Sequence, residues 1–530
     1  MRVAVVGGGP GGLFAATLAK ASDPNRQVTV FERNRAEDTF GFGVVFSDAT
    51  LEGIHAADPV LRTALSEHGV HWDPIEVRLH GEQFSCRGNG MAAVERRTLL
   101  RLMQQRALQA GVDVRFSTDA DPAEVLAGGY ELVIAADGAN SRLRSRFADG
   151  FCPEGDTAAT KFIWLGTTYP FSGLTFVHQR SPHGVFAVHG YPIGAGISTF
   201  IVETDEHSWR SAGLDEFDVT QPPGPSDEKT RAYLQELFAE QIDEHPLLVN
   251  NSRWSSFCTR RTRRWYQRIG ASAVALLGDA AHTAHFSVGS GTKMAMEDAV
   301  ALVAALDAHP ADVDAALADY ETTRRPQVGK IQRSARPSLS WWEHFGRYHD
   351  TLEPWQFAYH FFTRSLPESK LRRRDSTFVD AVHRRWRQAH GAEPLDSPID
   401  VAGRHLDGRL VTVGHGAARL AGEAVPLRSG PTGDTGTWSL QVTAPERENE
   451  LSAALDAVAG GVAAGAALVA VDGGTALTRR LLCEAARLEH GAVSLLVEDV
   501  EPARAEDVAV TAVLSGRTDL VGIPAGQEAR

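Results

Sequence analysis

Cysteine is scarce in this chain: four residues in 530, Cys86, Cys152, Cys258 and Cys483, with no Cys-x-x-Cys pair. That argues against a disulfide framework, offers no zinc-ligand spacing, and fits a reduced, cytoplasmic setting. No metal is expected. Long apolar runs are missing too, and nothing approaches the roughly 18 residues that a membrane span needs. Positive charge is in deficit, with 53 Lys and Arg against 67 Asp and Glu and a formal net charge of -14. A nucleic-acid partner is therefore not the default. No internal repeat of about 20 to 50 residues is found. The 43% hydrophobic content is enough for a sizeable core, and the length suits two or three domains.

What is present starts near residue 1. Gly7-Gly8-Gly9-Pro10-Gly11-Gly12 reads as Gly-x-Gly-x-x-Gly directly after the apolar run Val3–Val6. A second apolar run, Val28–Phe31, ends at Glu32. This is the layout of a strand, a phosphate-binding turn, a helix, a second strand and a ribose-binding acid. Gly7 permits the tight turn, Gly9 lets a pyrophosphate approach the backbone, and Gly12 lets the helix pack closely. The helix N-terminus, with Pro10, offers free N–H groups to the phosphates. The glycines interrupt the apolar stretch too early for a secretory leader.

The expected fold class is α/β. Residues 1–160 alternate short strands with helices, including a helix from Arg97 to Ala110 and strands at 112–116 and 132–135. Residues 161–265 are rich in Val, Ile, Phe, Tyr and Thr and predict an antiparallel substrate-covering sheet, with a loop at Thr220–Pro225. From Ser272 the α/β texture returns, with a strand at 274–277 and long helices to about 390. The predicted domains are 1–160 with 266–390, then 161–265, then a separate small α/β domain over 400–525.

Two further motifs turn a dinucleotide into FAD. One is Ala136-Asp137-Gly138, the other Leu277-Gly278-Asp279-Ala280-Ala281-His282, each after a strand. A carboxylate at a strand C-terminus can hold a ribose or ribityl hydroxyl. Asp279 is expected at the ribityl chain. Asp137 is expected to close the site in which pyrophosphate and nicotinamide are handled.

Across about residues 1–390 these three ordered motifs resemble the class A, single-component flavoprotein aromatic hydroxylases. The resemblance implies FAD, reduction by NADH or NADPH, and O2 activation as a flavin C4a-hydroperoxide. It also implies an arginine beside the flavin, Arg96 or Arg97, and places Arg33, Val45, Gly289, Gly291 and Thr292 with the cofactor-binding residues. Within the family, Phe40–Ser47, Lys161–Thr167, Ser198–Glu203, His285–Thr292 and Ser340–Glu343 look like the branch that acts on aromatic acyl-CoA thioesters. Phe286 stands where general members carry proline. The implied reaction is hydroxylation of salicyloyl-CoA para to its hydroxyl, giving the 5-hydroxy (gentisyl) thioester. The alternative is a free small aromatic such as tryptophan or a polyketide phenol.

The small residues of Ser287–Thr292, Ser287 and Gly289 among them, are expected to let backbone N–H groups approach the flavin. His285 is the favoured pocket residue over His282. His189 and Tyr191, two apart on a strand, face one way and join Phe46 as substrate-pocket candidates. Two arginine clusters, Arg260, Arg261, Arg263 and Arg264, and Lys370, Arg372, Arg373 and Arg374, are candidates for CoA phosphates or simply solvated faces. The C-terminal runs 464–474 and 515–524 resemble the closing strands of an old-yellow-enzyme barrel. A whole barrel needs about 250 residues, so a shortened remnant is expected, serving as scaffold, dimer contact or lid. A thioredoxin-like domain is the competing reading, and a homodimer is anticipated.

Overall fold

The computed structural model describes residues 1–47, 51–221, 224–431 and 438–525. Pro222 and Pro223 of the expected loop lie outside the described residues. The chain forms two compact units, Met1–Gly81 with Gly88–Glu343, and Glu82–Arg87 with His344–Arg530.

The first unit is built on a sheet in the order Tyr266–Ile269, Ser272–Leu276, Leu132–Ala135, Arg2–Val6, Gln27–Phe31, Asp113–Arg115. All neighbours are parallel except the first pair. The Leu132 and Ser272 strands are buried along their whole length, as parallel strands covered on both faces must be. The helix Pro10–Ser22 follows the first strand. The expected helix at 97–110 runs Arg96–Ala110 and stops at Gly111, whose φ of 88° is a left-handed cap.

The unit's second sheet is largely antiparallel, with Pro153–Thr167, Ile197–Thr204, Gly184–Gly194 and Leu174–Ser181 as neighbours in that order. Its first strand begins eight residues before the predicted start at Lys161. The added half carries exposed Glu154, Asp156 and Thr157, so it lacks the apolar alternation that marks a strand. It pairs with Ser255–Thr262 across an irregularity between Thr157 and Lys161. Ile75–Leu79, from within the predicted nucleotide-binding segment, joins this sheet by pairing in parallel with Leu174–Val177.

The boundary between the units falls between Glu343 and His344, inside the helix Val313–Thr351, and not near 390–400. An unbroken helix offers no linker composition, which is why the sequence does not mark it. The second unit contains helices Pro354–Phe362, Glu368–Arg374 and Ser376–His390. It also holds a closed barrel of strands Leu410–Gly414, Ala417–Leu420, Glu423–Arg428, Trp438–Ala444, Ala466–Gly473, Val493–Val497 and Leu520–Pro524. The last four are parallel and joined through helices, as in a (β/α) barrel; an antiparallel meander of the first three closes the ring. This is the expected shortened barrel; a thioredoxin-like domain would show an open sheet. Its core includes Val411, Leu420, Leu468, Ala470, Leu495 and Leu520. Leu468→Ala, at a fully buried position, is expected to cost about 2–5 kcal/mol. Urea unfolding of the purified variant against the wild type checks this, and an unchanged midpoint would refute the packed interior.

Candidate active site

The glycine turn sits at the C-terminal end of the first strand. Gly7 has φ of 109°, and a Cβ there would meet the Ala136 carbonyl oxygen at 2.3 Å. A Cβ on Gly12 would lie 2.1 Å from the Gly7 carbonyl oxygen, so the helix packs on its own turn. A Cβ on Gly9 would touch no protein atom within 4 Å. This glycine borders a cavity of about 210 Å³ that Gly7, Glu32, Arg33, Asp137 and Arg142 also line. The helix Pro10–Ser22 starts here without a side-chain cap, leaving its first N–H groups for a ligand.

Glu32 is held in place by the chain itself. Its Oε2 accepts the Gly8 N–H at 2.7 Å and its Oε1 accepts the Asn34 N–H at 2.8 Å and the Asn34 side-chain amide at 2.7 Å. Fixed in this way, its remaining lone pairs can meet ribose hydroxyls at the cavity edge. Asp137 is similarly divided. Oδ2 accepts the Arg142 N–H at 2.8 Å, and Oδ1 is buried with no partner among the described residues. An open backbone cradle, an uncapped helix start and an orphaned buried acceptor fit the nucleotide end of FAD.

The flavin end is assembled from distant segments. Arg96 starts its helix, its N–H donating to the Phe42 carbonyl at 2.8 Å. Arg97 beside it points to solvent. Burial lowers the Arg96 pKa, with Asp279 and Tyr191 pulling the other way. Burial also raises the Asp279 pKa, while His282 and Arg96 lower it. Asp279 nevertheless keeps accessible surface. Asp279 is thus surrounded by low-dielectric protein yet open to a ligand. Tyr191 is pushed up to about 12, by burial first, against Thr199 and Arg96.

The loop after Asp279 is braced from beneath. His282 Nε2 lies 2.7 Å from Asp298 Oδ2, which also accepts the Gly278 N–H at 3.1 Å, and Arg324 Nε reaches Asp298 Oδ1 at 2.8 Å. His282 is thus structural, and His285 is the histidine that turns toward the substrate sheet. The turn Phe286–Val288 leads through Gly289, at φ of 60°, to the helix Gly291–Ala308. Gly289 packs near Val45, a Cβ there falling 3.3 Å from Val45 Cγ1. Ser290 caps that helix in position but makes no side-chain cap, and its buried Oγ has no partner among the described residues. The N–H groups of Gly291 and Thr292 are therefore left without a side-chain cap at the positive end of an 18-residue helix.

Beside the turn stands an aromatic wall. The Phe286 ring lies 4.9 Å from Phe162, 5.6 Å from Trp164, 5.5 Å from His189 and 6.2 Å from Phe257, centroid to centroid. Trp164 Nε1 is buried without a partner among the described residues. His189 touches this wall through Phe286, while Tyr191, also buried, stacks on Trp72 with centroids 6.3 Å apart and its hydroxyl donates to the Gly43 carbonyl at 3.4 Å. Phe46 is not a pocket residue: it is 1% exposed and sits in the apolar core, on the inward face of its strand with Val44. The arginine candidates are mostly committed. Arg260 donates to the Ala139 carbonyl, Arg263 pairs with Glu154 at 2.6 Å, and Arg372 pairs with Asp380 at 2.5 Å. Arg261 and Arg373 are exposed.

Glu203 escaped the sequence reading as a site residue. It lies between His189 and His285, fully buried. A lone acid in the strand run Ile197–Thr204, next to apolar Phe200, Ile201 and Val202, was the available signal.

Sheet, turn and paired acids define a flavoprotein, and the FAD binding domain family matches residues 1–335. The chain belongs to that family, as a FAD-dependent aromatic monooxygenase. It is 56% identical over 528 residues to a salicyloyl-CoA 5-hydroxylase of a Streptomyces species, covering 98% of this chain and 99% of the relative. It is 39% identical over 342 residues to the 3-hydroxy-4-methyl-anthranilyl-[aryl-carrier protein] 5-monooxygenase of Streptosporangium sibiricum, covering 64% of this chain and 89% of the relative. The crystal structure of p-nitrophenol 4-monooxygenase from Pseudomonas putida shares the fold, with a TM-score of 0.52 at 19% identity over 72% of this chain and 96% of that one.

Proposed function

We propose that this enzyme hydroxylates an aromatic acyl-CoA thioester, converting salicyloyl-CoA to its 5-hydroxy (gentisyl) thioester with NADH or NADPH and O2. The observation that carries the reading is the 56% identity to a salicyloyl-CoA 5-hydroxylase along nearly the whole of both chains. In the names of both relatives the aromatic acid rides on a larger carrier.

Bound FAD would supply the electrons drawn from the reductant and the activation of O2. The glycine turn, Glu32 and Asp137 hold its nucleotide end; Arg96, Asp279 and the N–H groups of Gly289, Gly291 and Thr292 hold the flavin end. The positive helix end at Gly291 stabilises negative charge that develops there. Phe162, Trp164, Phe257 and Phe286 clamp a planar ring and exclude water from it. Trp164 Nε1 is a donor for a substrate oxygen. His285 and Ser287 stand at the edge of this wall as the proton-handling pair. Arg261 and Arg373 are the arginines best placed by exposure to meet CoA phosphates. No helix among the described residues is long and apolar enough to cross a membrane.

Reductant consumption by the FAD-loaded protein tests this, with salicyloyl-CoA against free salicylate and tryptophan, each product followed by mass. The thioester alone is expected to accelerate NADH or NADPH oxidation and to gain one oxygen. Equal or greater turnover of a free aromatic would sink the acyl-CoA assignment.

A further inference from the structure

Glu203 is out of place in its strand. Removing a carboxylate from water is costly unless donors or opposite charge meet it, and here two imidazole nitrogens stand against it. His189 Nε2 stands 2.6 Å from Glu203 Oε2, and His285 Nε2 stands 3.3 Å from Oε1. A neutral ring with its proton on Nε2 meets the carboxylate through that N–H, and a protonated ring meets it as a charge as well. Burial works to raise the Glu203 pKa, but His285 and His189 outweigh it and hold the group down to about 2. The carboxylate is therefore a standing negative charge.

The other nitrogen of His285 is engaged differently. Nδ1 accepts the backbone N–H of Ser287 at 3.4 Å and lies 2.8 Å from Ser287 Oγ, which in turn lies 3.1 Å from Ser338 Oγ. A backbone N–H can only donate, so Nδ1 carries the lone pair and the ring proton sits on Nε2, facing Glu203. Of these residues, His189, Glu203, His285 and Ser338 are buried, while Ser287 retains accessible surface. A single open end thus leads from the aromatic wall into a closed, charged interior.

We propose that Ser287, His285 and Glu203 form a proton relay that accepts the ring hydroxyl proton of a phenolic substrate, with His189 as a positioning residue on the far carboxylate oxygen. The inference rests on the aromatic-hydroxylase reading above. The substrate O–H bond breaks and its electron pair stays on the ring oxygen, which activates the ring toward electrophilic oxygen. Its proton passes to Ser287 Oγ as the Ser287 proton moves to His285 Nδ1. The imidazolium so formed faces a carboxylate already in place, so little reorganisation is needed. Glu203 touches no substrate atom and acts through His285.

The neighbours of Glu203 are few in charge. His189 comes from the strand Gly184–Gly194 and His285 from the turn before Phe286. The strand Leu174–Ser181 brings Phe176 and His178 against His189 and Trp342, with ring centroids 5.0 Å and 6.1 Å apart respectively. Phe257 lies against His285, and the helix Val313–Thr351 presents Ser338 and Trp342, the Trp342 ring 4.3 Å from His189.

The test is a pH profile of FAD-loaded wild type, Glu203→Gln and Ser287→Ala, reading kcat, KM, hydroxylated product per reductant consumed, and bound FAD. The carboxylate stabilises the imidazolium, so its loss lowers the pKa of the accepting base. Glu203→Gln is expected to lower kcat about 100-fold and to move the acidic limb of kcat/KM to lower pH by about one unit. FAD content and KM should change little. Ser287→Ala, at a partly exposed position, is expected to show a comparable loss of kcat and of product per reductant with the inner charges intact. Wild-type rates and an unmoved limb in both variants would overturn the relay. If Glu203→Gln loses FAD or fails to fold, Ser287→Ala decides alone, and wild-type coupling in it refutes the proposal. Should the wild type hydroxylate a free phenol and not the thioester, the substrate reading fails, and the same two variants judge the relay on that phenol.

Discussion

Gly12→Ala is expected to yield a protein that purifies without flavin colour. One added methyl would lie 2.1 Å from the Gly7 carbonyl oxygen and 3.2 Å from Ala136 Cβ. Backbone cannot yield as a flexible side-chain tip can, so the turn must shift away from the helix start that cradles the pyrophosphate. We expect FAD affinity to fall at least about 100-fold, ~2.8 kcal/mol at 1.4 kcal/mol per decade. Titration of the apoprotein with FAD measures it. Gly9→Ala separates the two causes of such a loss, because its Cβ meets no protein atom within 4 Å. It should leave unfolding unchanged while weakening FAD through the ligand's approach alone. Wild-type affinity in Gly12→Ala would mean that the close packing of turn and helix is dispensable.

The second large effect is expected at Asp298. Its carboxylate holds Arg324, His282 and the Gly278 N–H together in a fully buried knot. Asp298→Ala leaves Arg324, itself 3% exposed, with only part of its counter-charge, Glu297 at 3.0 Å. Breaking a buried pair in this way costs about 3–5 kcal/mol. The acid limb of stability carries the same signature. Burial works to raise the Asp298 pKa, but His282 and Arg324 hold it below the ordinary 3.8. A depressed carboxylate stabilises the fold above its unfolded pKa and loses that contribution as pH falls through its folded value. The gap between wild type and Asp298→Asn in denaturant midpoint should therefore be widest near neutral pH and narrow below about pH 4. A gap that stays constant down the acid limb would show that the charge is not what Asp298 contributes. Because the same knot bears the Gly278–Asp279 turn, weaker FAD binding should accompany the loss.

Much of the nucleotide half was legible because its chemistry is local in sequence. Gly7, Gly12 and Glu32 sit at spacings that a strand, a turn and a helix dictate; Gly7 and Glu32 line the cavity, and Gly12 packs against the Gly7 carbonyl behind it. The two acids after strands, Asp137 and Asp279, were legible for the same reason. The substrate side was less so. Glu203, His189 and His285 come together only through strand register, His189 opposite Ile201 on the strand that carries Glu203, and no spacing along the chain reports a register between strands. Phe46, expected in the pocket, is turned inward by the alternation of its own strand, with Val44 and Phe46 buried and Val45 half-buried between them. The barrel was foreseen as a shortened one from its closing strands. What the sequence hid was its closure by an antiparallel meander, since the linking strands Ala417–Leu420 and Glu423–Arg428 are short and half polar.

One contact in the turn before Phe286 carries a mechanical corollary. The lone pair of His285 Nδ1 that receives a proton is the same one that caps the Ser287 N–H. A protonated Nδ1 would set two N–H donors head to head there, while the Val288 N–H to the His285 carbonyl at 3.2 Å and the Gly289 N–H to the Phe286 carbonyl at 2.9 Å still hold the turn. The turn therefore opposes the imidazolium that Glu203 favours, and this counterweight returns the proton instead of trapping it.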